Sequence, residues 1–235
     1  MSAALPPVCL LVGGRGTRLG SITDETPKPL LPVGGRPFLE HVLEGLAKAG
    51  ARRVVLSTGY LSEQFERALG DGSRFGLDLR YVEDGPQPAG TAGGVRNCLP
   101  MLGDRFIVMY GDSLLRADPS AVVDAHVRGS RLATMAVLPA AIAPEPPNCV
   151  VIGDSVIAYA KNPRPEAATH IDYGMLVFER AAHEGFDGSD LAALQSALAA
   201  RGELTACVVD VPYTEIGTPD SLERAQREFR AEEPA

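Results

Sequence analysis

Gly13-Gly14-Arg15-Gly16-Thr17-Arg18-Leu19 follows directly on the apolar run 8–12. Glycines let a backbone turn tightly and bring its N–H groups against phosphate oxygens, while Arg15 and Arg18 add cationic charge. Within the same loop comes Thr26-Pro27-Lys28-Pro29, a third cation between prolines that restrict its backbone. Residues of these types in this order suit the handling of phosphate groups. The spacing fits neither a P-loop, which needs Ser or Thr after its Lys at a helix start, nor the dinucleotide fingerprint with its third glycine. The glycines by themselves also fit an ordinary strand-to-helix turn.

The elements that must hold this loop can be read from hydrophobic periodicity. A strand is expected over 8–12. Phe38, Leu39, Val42, Leu43 and Leu46 then recur at helical spacing, and Gly50 suits a helix end. Strands over 53–57, 77–82 and 106–110 alternate with helices over 62–69 and 92–102. Such alternation predicts an α/β fold, a Rossmann-like three-layer sandwich with a mostly parallel, mixed central sheet. Sheets of this kind bind ligands beyond the carboxyl ends of their strands, so the loops after Val12, Val82 and Tyr110 should meet at one site.

From about residue 117 the texture changes. A helix over 121–128, a strand over 132–138 and a hairpin around Gly153 and Asp154 are expected. Strands over 173–178 and 205–211 flank a helix over 190–200, and a helix over 219–230 precedes a frayed end. The expected organisation is a single domain over 1–235, in two parts over about 1–116 and about 117–235.

Composition narrows the function classes. A chain of 235 residues, 45% hydrophobic and 22% charged, is large enough for a full core. Its formal charge of −8 disfavours nonspecific binding to nucleic acid or anionic membranes, so neither is expected as a partner. The first residues lack the basic and long apolar stretches of a signal peptide, and no run approaches a membrane span, which points to a cytoplasmic protein, monomer or homodimer. Cys9, Cys98, Cys149 and Cys207 lie far apart, as reduced packing residues would. The four histidines are scattered, and no Gly-x-Ser-x-Gly elbow offers a nucleophilic serine.

The stretch GGRGTRLGSITDETPKPLLPVGGRP resembles the signature of the sugar-1-phosphate nucleotidyltransferases, which make GDP-, UDP-, CDP- and dTDP-sugars. In that family the glycine loop wraps the triphosphate, its Arg grips the phosphates and promotes pyrophosphate departure, and the Lys of a PK pair binds phosphate. The resemblance implies catalytic roles for Arg15 and Lys28 and nucleotide contacts for Val12, Gly13, Gly14, Gly16, Thr17 and Arg18. EDGPQPAGTAGG resembles the family loop around the base, implying contacts from Glu83, Asp84, Gly90 and Thr91. Tyr110-Gly111-Asp112-Ser113 resembles its metal-binding GD. Asp112, expected at a strand's carboxyl end, would be catalytic and hold Mg²⁺, a hard cation that takes one or two carboxylates plus substrate phosphates. It could instead be a turn aspartate.

Ala160-Lys161-Asn162-Pro163 resembles the family's EKP element, whose lysine contacts the sugar phosphate, although Ala160 replaces an acid that often binds a sugar hydroxyl. Lys161 could equally be a solvated hairpin lysine. Ile171-Asp172-Tyr173-Gly174 matches the segment where many relatives carry Asn-Ala-Gly, implying sugar contacts from Asp172, Tyr173 and Gly174, with a strand-edge carboxylate as the other reading of Asp172. Glu215-Ile216-Gly217-Thr218-Pro219 resembles DIGTP, which implies a second metal ligand at Glu215, or else a helix entry.

The implied reaction is attack of a sugar phosphate on the α-phosphorus of a nucleoside triphosphate, giving a nucleotide sugar and pyrophosphate. It needs positioning and charge neutralisation, and no general base. The Asp84 to Pro86 stretch, YGDS and HIDYG most resemble a short bacterial branch that includes heptose-1-phosphate guanylyltransferases, making GTP and a manno-configured heptose 1-phosphate the first choice. Glu83 or Asp84 could accept from guanine N1–H and N2–H. UTP, CTP or dTTP with a hexose, amino-sugar or non-sugar phosphate is the alternative, and a nucleotide-sugar sensor without turnover is another. No acetyltransferase activity is expected, because the chain has no left-handed β-helix extension.

Overall fold

Val8, Cys9 and Leu10 are apolar and wholly buried, as a strand covered on both faces requires. They belong to the first strand of a computed structural model that describes residues 5–85 and 87–231. Residues 1–4, Pro86 and the end expected to fray, 232–235, lie outside the described residues.

The strands are β1 (Val8–Leu11), β2 (Pro32–Val33), β3 (Arg36–Pro37), β4 (Arg53–Thr58), β5 (Asp78–Glu83) and β6 (Arg105–Tyr110). They continue as β7 (Ser113–Leu114), β8 (Ala133–Pro139), β9 (Cys149–Ile152), β10 (Ser155–Tyr159), β11 (His170–Glu179), β12 (Leu204–Val208) and β13 (Thr214–Glu215). The helices are α1 (Phe38–Lys48), α2 (Glu63–Leu69), α3 (Gly90–Leu102), α4 (Pro119–Gly129), α5 (Leu191–Ala200) and α6 (Pro219–Ala231). The expected strands and helices are thus present. To them the structure adds short 3₁₀ segments at Thr17–Thr23 and Lys28–Leu30 and two-residue ladders that periodicity does not reveal.

Nine strands form one sheet in the order β5-β4-β1-β6-β11-β8-β12-β10-β9. The first four are parallel. β11 runs antiparallel to both β6 and β8, so β8 regains the direction of β6, and β12 follows β8 in parallel. Only β11 and β10 oppose the rest.

Side chains alternate across the strands. Leu10, Leu56, Ile107 and Val177 pack with α1, α2, α4 and α6 through Leu39, Phe65, Val122 and Leu222. Cys9, Val55, Phe106, Val108 and Phe178 face α3 and α5, meeting Val95, Cys98, Leu194 and Leu198. Two helical layers therefore enclose the sheet. Asp118 and Asp190 cap α4 and α5, accepting from the backbone N–H of Ser120 and Ala192 at 2.9 and 3.0 Å. All four cysteines are unbridged, with Cys9, Cys98 and Cys149 buried. Among the described residues no helix is long and apolar enough to cross a membrane.

His183 lies 6% exposed against Phe106 and Phe178, with ring centroids at 5.6 and 5.0 Å. Burial, with a smaller contribution from the Arg96 charge, pushes its pKa down to about 4. The folded state therefore holds the neutral ring, while the unfolded chain takes up a proton near pH 6.5. This contribution to stability is complete above pH 6.5 and lost as pH falls through 4. Across that window wild type should lose about 3 kcal/mol more unfolding free energy than His183→Phe. Urea titrations of both proteins between pH 7 and 4 check this, and parallel profiles contradict it.

Candidate active site

The carboxyl ends of β1, β4, β5 and β6 all open into one cleft of about 220 Å³. Its wall carries Leu11, Val12, Gly13 and Gly14 from β1 and the following turn, Ser57 from β4, Asp84 after β5, and Tyr110 and Asp112 after β6. Lys28 and Pro29 close one side, and Pro88, Gly90 and Thr91 at the start of α3 close another. A larger, more open groove of about 1010 Å³ lies between α1 and the segment after β7, but it is lined by none of the candidate site residues. The chemistry-bearing groups gather in the smaller one.

Backbone geometry explains the glycine turn. Gly16 has φ +65°, and a Cβ there would stand 3.1 Å from both Lys28 Cβ and Thr23 Cγ2, so the turn and the lysine loop pack too closely for a side chain. Lys28 opens a 3₁₀ turn between Pro27 and Pro29, and its ammonium is only 12% exposed and paired with Asp112 Oδ2. In a cleft shielded from water such a pair is strongly coupled, and each charge offsets the desolvation of the other.

Glu215 reaches the same place by a two-residue ladder. β13 pairs antiparallel with β7, setting Glu215 opposite Ser113, and Ile216 N–H donates to the Asp112 carbonyl at 3.1 Å. Arg18 is close by, because a Cβ on Gly217 would lie 2.6 Å from Glu215 Oε2 and 3.1 Å from an Arg18 guanidinium nitrogen. The ladder thus brings the backbone of Glu215 beside that of Asp112. Among the described residues no group of three or more His, Cys, Asp or Glu side chains could hold a metal. A two-carboxylate set fits a hard divalent ion that completes its shell with phosphates and water, and does not fit a metal needing a full protein cage.

The base loop divides. Asp84 lines the cleft and Glu83 faces solvent. Asp84 Oδ2 accepts from Ala89 N–H at 3.1 Å, while its buried Oδ1 has no hydrogen-bond partner. Burial raises the Asp84 pKa, only partly offset by the Ala89 N–H. Pro86 of the same stretch lies outside the described residues. Thr91 lines the cleft, yet its hydroxyl is used in joining α3 to α5, accepting from Leu191 N–H at 2.8 Å and donating to Asp190 at 3.3 Å. Gly90, at φ +72°, allows that junction, since a Cβ would lie 2.5 Å from the Ser189 carbonyl oxygen.

On the β11 side, Asp172, Tyr173 and Gly174 are not among the residues lining the cleft, and Gly174 lies against Tyr110, which is. Asp172 Oδ2 accepts from Tyr159 and Gln195 at 3.1 Å each, and Oδ1 accepts from Gly174 N–H at 2.9 Å. Tyr173 is 1% exposed in the opposite core layer, where its hydroxyl accepts from the N–H groups of Arg116 and Ala117 at 3.0 and 3.2 Å. The expected sugar contact from Tyr173 is therefore not brought to the cleft: alternation along β11 turns its ring to the other face. Lys161 approaches from the loop after β10, its ammonium 5.4 Å from the Tyr110 ring centroid.

Arg15, Thr17 and Arg18 remain exposed outside the cleft wall, Arg15 resting on Tyr60 at 5.2 Å from the ring centroid. Ser57, Tyr110, Gln195 and Asp190 belong to the site or its supports and were not singled out from the sequence. Ser57 was findable as the polar end of an apolar strand, and Gln195 as the one large polar residue in the otherwise apolar run LAALQSALAA.

Comparison with known proteins agrees with this arrangement. The Mannose-1-phosphate guanylyltransferase of Mycobacterium tuberculosis is 39% identical over 174 residues, 73% of this chain and 48% of that protein. The D-glycero-alpha-D-manno-heptose 1-phosphate guanylyltransferase of Aneurinibacillus thermoaerophilus is 27% identical over 226 residues, covering 94% of this chain and 97% of its own. A solved Bacillus anthracis structure in complex with a sucrose shares the fold with a TM-score of 0.84 at 23% identity, over 99% of this chain and 98% of that one. The chain spans about half the length of the Mycobacterium relative. Residues 8–232 match the family described as Nucleotidyl transferase, and the chain belongs to that family.

Proposed function

We propose that this chain transfers a nucleotidyl group from a nucleoside triphosphate, GTP first, to a sugar 1-phosphate, with a manno-configured heptose 1-phosphate as the preferred acceptor. The observation that carries the reaction type is the meeting of the glycine turn and the Lys28–Asp112 pair in one cleft, with the β13–β7 ladder bringing Glu215 next to Asp112 in the backbone. An oxygen of the acceptor phosphate attacks the α-phosphorus in line, the bond to the β-phosphate bridging oxygen breaks, and pyrophosphate leaves with that electron pair. The acceptor phosphate is already ionised at neutral pH and needs no base. The N–H groups of the turn containing Val12, Gly13, Gly14 and Gly16 receive the phosphates, and Lys28 meets the charge that grows on them. Arg15, on its Tyr60 platform, and Arg18 border the leaving pyrophosphate. Thr17, at the head of the first 3₁₀ segment, fixes the turn that carries them.

Asp112 and Glu215 would hold Mg²⁺, which when bound neutralises phosphate charge and polarises phosphoryl oxygens. Lys28 must then release Asp112 as the triphosphate arrives, exchanging one carboxylate for phosphate oxygens. Lys161 takes the acceptor phosphate, with Asp172 and Gly174 beside the sugar. The chain up to about residue 116 serves the nucleotide and the remainder serves the acceptor.

The choice of GTP is supported by Asp84. A buried carboxylate oxygen with no donor needs N–H groups, and guanine presents N1–H and N2–H side by side. Two relatives named as guanylyltransferases point the same way.

Pyrophosphate release with Mg²⁺, four ribonucleoside triphosphates and dTTP, against heptose, mannose and glucose 1-phosphates, tests the assignment. GTP with a manno-configured acceptor is the expected productive pair. Another productive pair removes the substrate assignment, and silence throughout removes the reaction. Lys28→Ala and Asp112→Asn should each lower kcat by about 100-fold or more, because both act on charge developing in the transition state. Single-turnover rates at saturating substrate measure this, and a wild-type rate in Lys28→Ala rejects the role given to it.

A further inference from the structure

The acceptor end of the cleft is built around a side chain to which no role has yet been given. Tyr110 is the last residue of β6, and its ring lines the cleft next to Asp112. Gly174, at φ +88°, packs beside that ring, where a Cβ would lie in ordinary contact, 3.5 Å from Tyr110 Cδ2. Over the ring face hangs the Lys161 ammonium, 5.4 Å from the centroid. Among the described residues no ion pair holds that ammonium, so the aromatic face is what keeps an exposed, flexible lysine turned to the cleft.

The hydroxyl is in a different condition from the ring. It is buried and has no hydrogen-bond partner. Phenylalanine would fill the same space without leaving a buried polar atom unpaired, and an unmade hydrogen bond at such an atom costs the free protein stability. Asp172 already receives from Tyr159, Gln195 and Gly174 N–H, which leaves at most one of its lone pairs open. The Tyr110 hydroxyl is a donor without a partner at the end of the cleft where Lys161 stands.

We propose that Tyr110 is a specificity-determining residue for the phosphorylated acceptor: its ring holds Lys161 over the cleft, and its hydroxyl donates to an oxygen of the acceptor once that molecule is bound. The proposal rests on the nucleotidyl-transfer reading and adds to it a residue at a place where a smaller or purely apolar side chain would suffice for packing. The two parts of the side chain separate by substitution. Tyr110→Phe removes only the hydroxyl, and Tyr110→Leu removes the platform as well.

The experiment compares wild type, Tyr110→Phe and Tyr110→Leu by steady-state kinetics with the best sugar 1-phosphate of the panel, and by thermal unfolding with and without mannose 1-phosphate. Ligand-free Tyr110→Phe should melt at or above the wild-type temperature. Its KM for the sugar phosphate should rise about tenfold, the worth of one hydrogen bond, with KM for the nucleotide changed by no more than about twofold. Tyr110→Leu should raise the sugar-phosphate KM further, and the melting shift given by mannose 1-phosphate should shrink in the same order. A Phe variant that melts below wild type, or that keeps the wild-type KM for the acceptor, overturns the proposal while a productive wild type leaves the reaction standing. A wild type that turns over no sugar phosphate and is not stabilised by mannose 1-phosphate overturns the reaction and this proposal together.

Discussion

The antiparallel course of β11 is the constraint on which the rest of the site depends. Parallel strands deliver their carboxyl ends to one edge of a sheet, and β1, β4, β5 and β6 do so here. A strand running the other way delivers its beginning to that edge. Met175 pairs with Met109, so Asp172, Tyr173 and Gly174 arrive beyond the end of β6, beside Tyr110 and Asp112. The same ten-residue strand bonds β8 on its other side and holds the two halves of the sheet together. A parallel β11 would have carried Asp172 to the opposite edge and left the cleft one wall short.

Electrostatics then decide what the cleft can be. The chain carries a formal charge of −8, so anionic substrates are drawn in only by local cations. Lys28, the most sheltered of these, is held by Asp112 in an ion pair within a confined space. That pairing makes the empty site self-consistent. On the proposed reaction, phosphate and a divalent metal would arrive as a matched set, since taking Lys28 from Asp112 would leave a carboxylate that needs a new cation. Arg15 and Arg18, both exposed, are screened by water and salt and add less to affinity than to the capture of a polyanion.

Much of this was legible in the sequence, for identifiable reasons. The runs at 8–12 and 106–110 are covered on both faces, so they read as continuous apolar strands, and the turns after them carry the glycines and Asp112 that mark the cleft. The two-residue ladders were not legible, because no periodicity exists in two residues, and the nearness of Glu215 to Asp112 was therefore readable only by resemblance. Tyr173 went astray for a related reason. In the β11–β8 pairing the register shifts between Asp172 and Leu176, and a motif read as three consecutive contacts takes no account of which face each residue meets. Asp84 and Glu83 could not be told apart in sequence either. Their difference lies in which of two adjacent carboxylates turns inward at the end of β5.

Among the described residues, the cleft's lining holds two buried polar atoms without a partner, at separate ends. Asp84 Oδ1 lacks a donor where α3 begins, and Tyr110 lacks an acceptor where β11 arrives. One is an acceptor-only carboxylate and the other a protonated phenol, so they cannot be satisfied by the same kind of group. They also hang on different supports: Asp84 on β5 and the Ala89 N–H, Tyr110 on β6 and the contact with Gly174. Between them lie the Lys28–Asp112 pair and the glycine turn, which in the proposed reaction would meet phosphate and carry no information about base or sugar. A cleft built this way can change its nucleotide without changing its acceptor, because the substitutions needed are far apart and share no partner. Such separation gives a physical reason why one family can contain proteins named for different nucleotides on the same sheet.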